Sequence, residues 1–236
     1  MAVIQRIKGT NDILPDSQGE DIFKSGLWRR AEAAVFDVAA AFGYAEIRTP
    51  IFEATELFVR GLGDVTDIVK KEMFSFTDRG ERQLTLRPEG TASVVRAWIE
   101  NGLGVHDPVS RLCYAGPMFR AERPQKGRYR QFHQFGVECI GGGTVRHDIE
   151  VISLFWAILD RLGVRQVKLL VNSVGCDECR PAYRKILADH FAPRLGELCA
   201  DCRERHGTNV LRMLDCKNPS CQEILKTAPA LTDHLC

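Results

Sequence analysis

At 236 residues, with 44% hydrophobic and 27% charged residues and a formal charge of +1, the chain has the composition of a soluble globular protein long enough for a buried core. No apolar run is long enough to span a bilayer, no start resembles a signal peptide, and there is no internal repeat or low-complexity tract, so a cytoplasmic protein with no membrane partner is expected. Nine cysteines, an odd number without a secretory signal, argue against a disulfide framework and for thiols or metal ligation.

Residues Val3 to Lys8 read as a short strand, followed by a polar turn from Gly9 to Asp12. Ser17 and Glu20 have capping-box spacing, and Phe23, Leu27, Ala31, Ala34, Val38 and Phe42 recur at helical period up to Gly43. An extended segment from Tyr44 to Arg48 then meets Thr49 and Pro50. Glu72 to Thr77 and Gln83 to Leu86 alternate like a hairpin around Asp78, Arg79 and Gly80. Pro88 and Gly90 interrupt the second strand, and Thr91 starts a helix with Val94, Val95, Trp98 and Ile99 in its core stripe. Glu89, just ahead of that helix, can accept an α-amino group as a charge-assisted hydrogen bond. The plainer reading is a carboxylate facing the positive end of the helix.

Tyr114 to Glu138 reads as a strand, a basic loop and a returning strand. Between Arg120 and Arg130 five cations face Glu122 alone, a local charge of +4 in a nearly neutral chain. Pro124 and Gly127 mark the tip, and Met118, Phe119, Phe132 and Phe135 flank it. Guanidinium forks beside aromatic faces outline a nucleotide site, whereas composition alone favours a solvated, charged hairpin. Gln134 and Glu138 lie an even number apart and share one strand face, and His133 lies on the other. Ile149, Ile152, Phe155, Ile158, Leu159 and Leu162 predict a buried helix face ending at Gly163, and Gln166 to Val171 a buried strand. The whole is an α+β domain, an antiparallel sheet with helices on its faces.

Composition changes after Asn172, dividing the chain into 1–172 and a mainly helical, cysteine-rich 173–236. Cys176-x2-Cys179 and Cys199-x2-Cys202, nineteen residues apart, have zinc-site spacing. Cys216 and Cys221 offer two further sulfurs, so the ligand set is not unique, and reduced thiols in a small helical insertion would show the same pattern.

The wording GPMFRAERPQKGRYRQFHQ resembles motif 2 of the class II aminoacyl-tRNA synthetases, and specifically the histidyl-tRNA synthetases. KGTNDILP, TLRPEGT, NSVGCDECRPAYR and NVLRMLDCKNP resemble the same family, and YAEIRTPIFE the end of motif 1. The resemblance implies a class II synthetase-like fold that activates histidine with ATP and Mg2+ and passes it to tRNA(His). It implies Arg120 on the α-phosphate and the histidine carboxylate, Glu122 toward adenine or the tRNA end, Phe132 stacked on adenine, and Arg128 near phosphates. Glu89, Gly90, Thr91, Gln134 and Glu138 would line the histidine pocket, with Glu138 accepting an imidazole N–H. The segment around Pro50 would form a homodimer interface, and any zinc, on Cys176, Cys179, Cys199 and Cys202, would be structural.

No LVRGLDYY-type or AGGRYD-type segment and no motif 3 follows, so an incomplete catalytic region with little activity alone is expected. Two rival readings are a catalytically silent paralogue that joins a phosphoribosyltransferase in histidine biosynthesis, and a nucleic-acid module using the basic hairpin. Retention of Glu89, Arg120, Gln134 and Glu138 opposes the first, and the near-neutral charge opposes the second.

Overall fold

In the computed structural model, which describes residues 3–62, 69, 72–173 and 175–236, helix α1 (Ser25–Ala41) starts where Asp16 Oδ1 accepts the Gly26 N–H at 2.7 Å. The expected Ser17 and Glu20 capping box is not formed; a 3-10 turn over Asp21–Phe23 intervenes. Asp16 satisfies an orphan donor from ten residues upstream, too distant for a local capping motif to register. Gly43, at φ 80°, ends the helix where a side chain would be strained.

The chain then forms β1 (Ala45–Glu46), β2 (Phe52–Ala54), α2 (Thr55–Leu62), β3 (Phe74–Thr77), β4 (Gln83–Leu86), α3 (Thr91–Glu100), α4 (Leu103–His106), β5 (Ser110–Phe119), β6 (Gln131–Ile140) and α5 (Val145–Arg161). One sheet has the order β1-β5-β6, with β1 parallel and β6 antiparallel to β5. A second, antiparallel sheet has the order β2-β4-β3. Its β3–β4 hairpin turns at Asp78, whose Oδ1 accepts the N–H groups of Gly80 and Arg82, both at 2.9 Å.

Odd-numbered β6 residues face the helices. Phe135 and Val137 pack with Cys113 against Val35 and Ala39 of α1 and Leu154 and Ile158 of α5. Of these, the buried Val35, Leu154 and Ile158 each contribute roughly 1.5–3 kcal/mol of burial. Arg111 clamps α5 onto β5 through a two-pronged contact with Glu150, at 2.7 and 3.0 Å, and the Tyr44 hydroxyl donates to the same carboxylate at 3.1 Å. With its helix-facing side occupied, the sheet keeps its even-numbered face for other groups.

Several expectations need correction. Val3 to Lys8 forms no strand, and Ile4 and Ile7 are exposed. The buried side of α3 is Ser93, Val94 and Ala97, while Ile99 is exposed. Of the face expected on α5, Ile158 is buried and Leu159 partly buried, while Ile149, Ile152, Phe155 and Leu162 are exposed, because α1 and β6 cover the side centred on Leu154 and Ile158. Gln166 to Val171 is not a strand: Gln166 is left-handed at φ 60°, breaking the extended run, and Leu170 and Val171 are exposed.

The chain divides into compact units Met1–Val167 and Lys168–Cys236, ahead of the change at Asn172 read from composition. The second unit contains α6 (Cys179–Phe191), α7 (Ala200–Thr208) and α8 (Pro219–Leu225), with 3-10 turns between and after them. Tyr183, Leu187 and Phe191 of α6 pack with Leu198, Val210, Met213 and the buried Cys202, Cys216 and Cys221. Among the described residues, no helix is long and apolar enough to cross a membrane.

Candidate functional site

The register of the long hairpin sets the site. Phe132, Gln134, Gly136 and Glu138 on β6 stand opposite Met118, Gly116, Tyr114 and Leu112 on β5, on the face turned away from α1 and α5. At about 3.3 Å per residue, Glu138 and Phe132 mark ends of a track about 20 Å long.

At one end, the Thr91 hydroxyl donates to Glu138 Oε1 at 2.7 Å, and the Tyr114 hydroxyl donates to the same oxygen at 3.3 Å. The Tyr114 ring lies against Gly90 and Gly136; a Cβ at either position would run into it. Burial pushes the Glu138 carboxyl up; its two hydrogen bonds oppose that shift, and the nearby Glu89 charge adds to it. Burial, reinforced by both carboxylates, pushes the Tyr114 hydroxyl up to about 12. Two acids share a half-buried place, an arrangement relieved by a ligand bringing an ammonium or an N–H donor.

Glu89 takes the plainer role read from sequence. Its Oε2 accepts Thr91 N–H at 2.6 Å and its Oε1 accepts Ala92 N–H at 2.9 Å, holding it at the start of α3. Each oxygen retains a second lone pair, so this does not prevent ligand contact. Glu89 and Thr91 also border a cavity of about 960 Å³ between α2 and α3, which Gln134, Glu138 and Arg120 do not line.

At the other end, Arg120 Nε donates to Pro88 O at 3.0 Å, fixing the guanidinium plane, and its Cζ lies 5.1 Å from the centre of the Phe132 ring. The Arg120 N–H donates to Arg130 O at 2.9 Å and closes the basic loop. Arg128 and Glu122 pair with each other at 3.2 Å. A surface pair of this kind is worth at most about 1 kcal/mol, so a phosphate can draw Arg128 away at little cost.

His133 stacks edge-on with Trp28, ring centres 4.6 Å apart, on the helix-facing side. Pro50 is exposed between β1 and β2; its neighbour Thr49 accepts from the buried Arg87 through its carbonyl at 3.0 Å. Two residues were missed in the sequence, Tyr114 and Arg87. Arg87 Nε also donates to Pro117 O at 2.9 Å, tying β4 to β5. The signal for Tyr114 was present: an aromatic on the Glu138 face opposite Gly136, where a missing side chain leaves room for a ring.

The cysteines do not converge as their spacing suggested. Cys199, Cys202, Cys216 and Cys221 bring their sulfurs within 4.8 Å of one another, and Cys176, Cys179 and Cys236 form a separate group by the same measure. The expected set of Cys176, Cys179, Cys199 and Cys202 is therefore corrected: the two C-x2-C pairs belong to different clusters, because the turns before and into α8 deliver Cys216 and Cys221 to Cys199 and Cys202.

A sequence model of the family described as "Histidyl-tRNA synthetase" matches residues 22–188. The histidine–tRNA ligase of Desulforudis audaxviator is 55% identical over 235 residues, covering 99% of this chain and 54% of its own length. The crystal structure of apo S. aureus histidyl-tRNA synthetase superimposes with a TM-score of 0.74 at 38% identity, over 99% of this chain and 51% of that one. A structure titled as an ATP phosphoribosyltransferase regulatory subunit/histidyl-tRNA synthetase from Bacillus halodurans shares the fold, with a TM-score of 0.63 at 21% identity, covering 100% of this chain and 68% of that one. The chain thus spans about half the length of the curated relatives it matches.

Proposed function

Because the chain belongs to the histidyl-tRNA synthetase family, we propose that the even-numbered face of β5 and β6 binds histidine and ATP and serves histidine activation in a histidine–tRNA ligase. The observation that carries this reading is the order of groups along one strand face: an acidic, hydrogen-bonded end at Glu138, Thr91 and Tyr114, and an arginine-on-aromatic end at Arg120 and Phe132.

Histidine enters with its α-ammonium toward Glu89 and Thr91 and an imidazole N–H toward Glu138, while Gln134 lines the pocket. Gly90 supplies close backbone approach, as the Tyr114 ring beside it leaves no room for a side chain. ATP, as its Mg2+ complex, is the second substrate. Adenine stacks on Phe132, Glu122 faces the adenine side or the tRNA end, and Arg128 meets phosphate oxygens. A carboxylate oxygen of histidine attacks the α-phosphorus, the bond to the β-phosphate oxygen breaks, and pyrophosphate leaves. Arg120 touches both the carboxylate and the α-phosphate, placing a fixed positive charge where negative charge gathers in the transition state. In the second step a hydroxyl of the terminal ribose of tRNA(His) attacks the acyl carbon, the bond from that carbon to the phosphate oxygen breaks, AMP leaves, and the hydroxyl proton is released to solvent. The exposed segment around Pro50 forms the contact of a homodimer. Any metal in the second unit is structural and takes no part in these steps.

Histidine-dependent exchange of labelled pyrophosphate into ATP tests this reading, together with calorimetric binding of each substrate. Little exchange is expected from this chain alone, and what it shows should fall about 10²–10³-fold in Arg120→Ala, the usual cost of removing one transition-state charge partner. Binding of neither histidine nor ATP to the parent chain would overturn the assignment.

A further inference from the structure

We propose that Cys199, Cys202, Cys216 and Cys221 form a structural zinc site in which all four ligands are thiolates. The family model stops at residue 188, ahead of all four cysteines, although longer relatives align across them.

The four sulfurs come from three separate places. Cys199 immediately precedes α7, Cys202 stands in its first turn, Cys216 follows the 3-10 turn Val210–Asp215, and Cys221 lies in α8. Their spacing is C-x2-C, thirteen residues, then C-x4-C. Two short ligand pairs joined by a longer connection are the usual plan of a tetrahedral zinc site. Zinc–sulfur bonds of about 2.3 Å at tetrahedral angles place sulfurs about 3.8 Å apart. Cys199 and Cys216 have their sulfurs 3.9 Å apart, and all four lie within 4.8 Å of one another.

Cysteines buried only as small apolar side chains have no reason to bring four sulfurs to one point. The surroundings also suit thiolates. The Cys199 N–H donates to Cys221 Sγ at 3.2 Å, and the Asn218 N–H approaches Cys216 Sγ at 3.5 Å, so backbone donors stand ready for charged sulfurs. A cavity of about 530 Å³ reaches Cys199 and Cys216 and gives the ion an entry path. Arg205 and Lys217 border it together with Asp201 and Asp215, so its charged lining is balanced. Binding requires no redox partner: four thiols release protons to solvent and four zinc–sulfur bonds form.

The role is structural. Three of the four cysteines are buried in the core of the second unit, among Tyr183, Leu187 and Phe191. A helical unit of this size, under about 70 residues, has little apolar core and gains from a staple. Four protein ligands leave no open position for catalysis. Cys176, Cys179 and Cys236 supply three sulfurs, two of them on exposed residues, and form no part of this site.

The test is elemental analysis of the whole chain purified under reducing conditions with zinc present, set beside Cys221→Ser and Cys176→Ser. The parent is expected to hold at least one zinc per chain, Cys221→Ser to hold one fewer, and Cys176→Ser to keep the ion of the tetrad. Residue-resolved alkylation of the parent keeps the test independent of whether Cys221→Ser folds. Zinc should slow labelling of Cys199, Cys202, Cys216 and Cys221 by at least about tenfold, and a chelator should reverse that protection. Labelling at equal rates with and without zinc would overturn the proposal, as would zinc content unchanged in Cys221→Ser. Iron bound in place of zinc would overturn the choice of metal.

Discussion

The two units are held together by different means. In the first, ten residue pairs of β5 and β6 fix a ladder whose register assigns each side chain to a face, with helices on one side and the candidate site on the other. In the second no strand occurs among the described residues, and the core mixes α6 side chains with buried cysteines. Position in the first unit is thus set by backbone, and a side-chain change acts mainly on chemistry. In the second, side chains set position, and the same kind of change acts on the fold.

The sharpest way to break this contrast is a large truncation in the helical core. Phe191 is fully buried, and Phe191→Ala is expected to cost about 3–5 kcal/mol. Hydrogen exchange should show the loss in the amides of Lys168–Cys236; equal loss of protection in β5 and β6 would contradict the contrast. A smaller effect is expected from Gly136→Ala, which forces the Tyr114 ring aside at a cost of about 1–3 kcal/mol. Denaturant melts should register it, and calorimetry should show weaker histidine binding because the Glu138 donors move.

Glu150→Gln removes the clamp between α5 and β5 and is expected to cost about 1–2 kcal/mol. Hydrogen bonding to Arg111 holds the Glu150 carboxyl below its usual range. The contribution is therefore present above the ordinary carboxylate range and lost as pH falls through the depressed folded value. Thermal melts across that range should show the parent converging on the variant at acid pH.

The smallest effect has the opposite sign. Burial raises Glu138 in the folded protein, so its carboxylate opposes folding above the folded pKa, and this penalty vanishes below the unfolded one. Glu138→Gln is expected to stabilise the chain by up to about 1 kcal/mol at neutral pH, a gain that disappears as pH falls through the carboxylate range. A variant less stable than the parent at neutral pH would show that Glu138 is held there for stability.

What could be read from sequence follows the same division. Strand parity placed Gln134 and Glu138 on one face and His133 on the other, and local turn chemistry at Asp78 and Gly43 marked the ends of elements correctly. Asp16 escaped because its partner is ten residues away. The α5 face was legible only in part, because helical period marks apolar residues without saying which neighbour covers them: Ile158 was placed correctly, and the buried Leu154 lay off the expected line. The cysteine groups were misassigned for a related reason, since spacing along a chain restricts which sulfurs can meet but does not bring them together. The basic hairpin was readable as a charged loop, whereas the Arg120 stack on Phe132 needed the register of both strands.

The most direct measurement is calorimetric titration of histidine into the parent chain, Glu138→Gln and His133→Ala. These residues occupy the same strand on opposite faces. If the even-numbered face binds histidine, Glu138→Gln weakens binding by about tenfold or more, the cost of roughly one charge-assisted hydrogen bond, and His133→Ala leaves it within about twofold. Equal weakening by both, or none by Glu138→Gln, would contradict the assignment of that face.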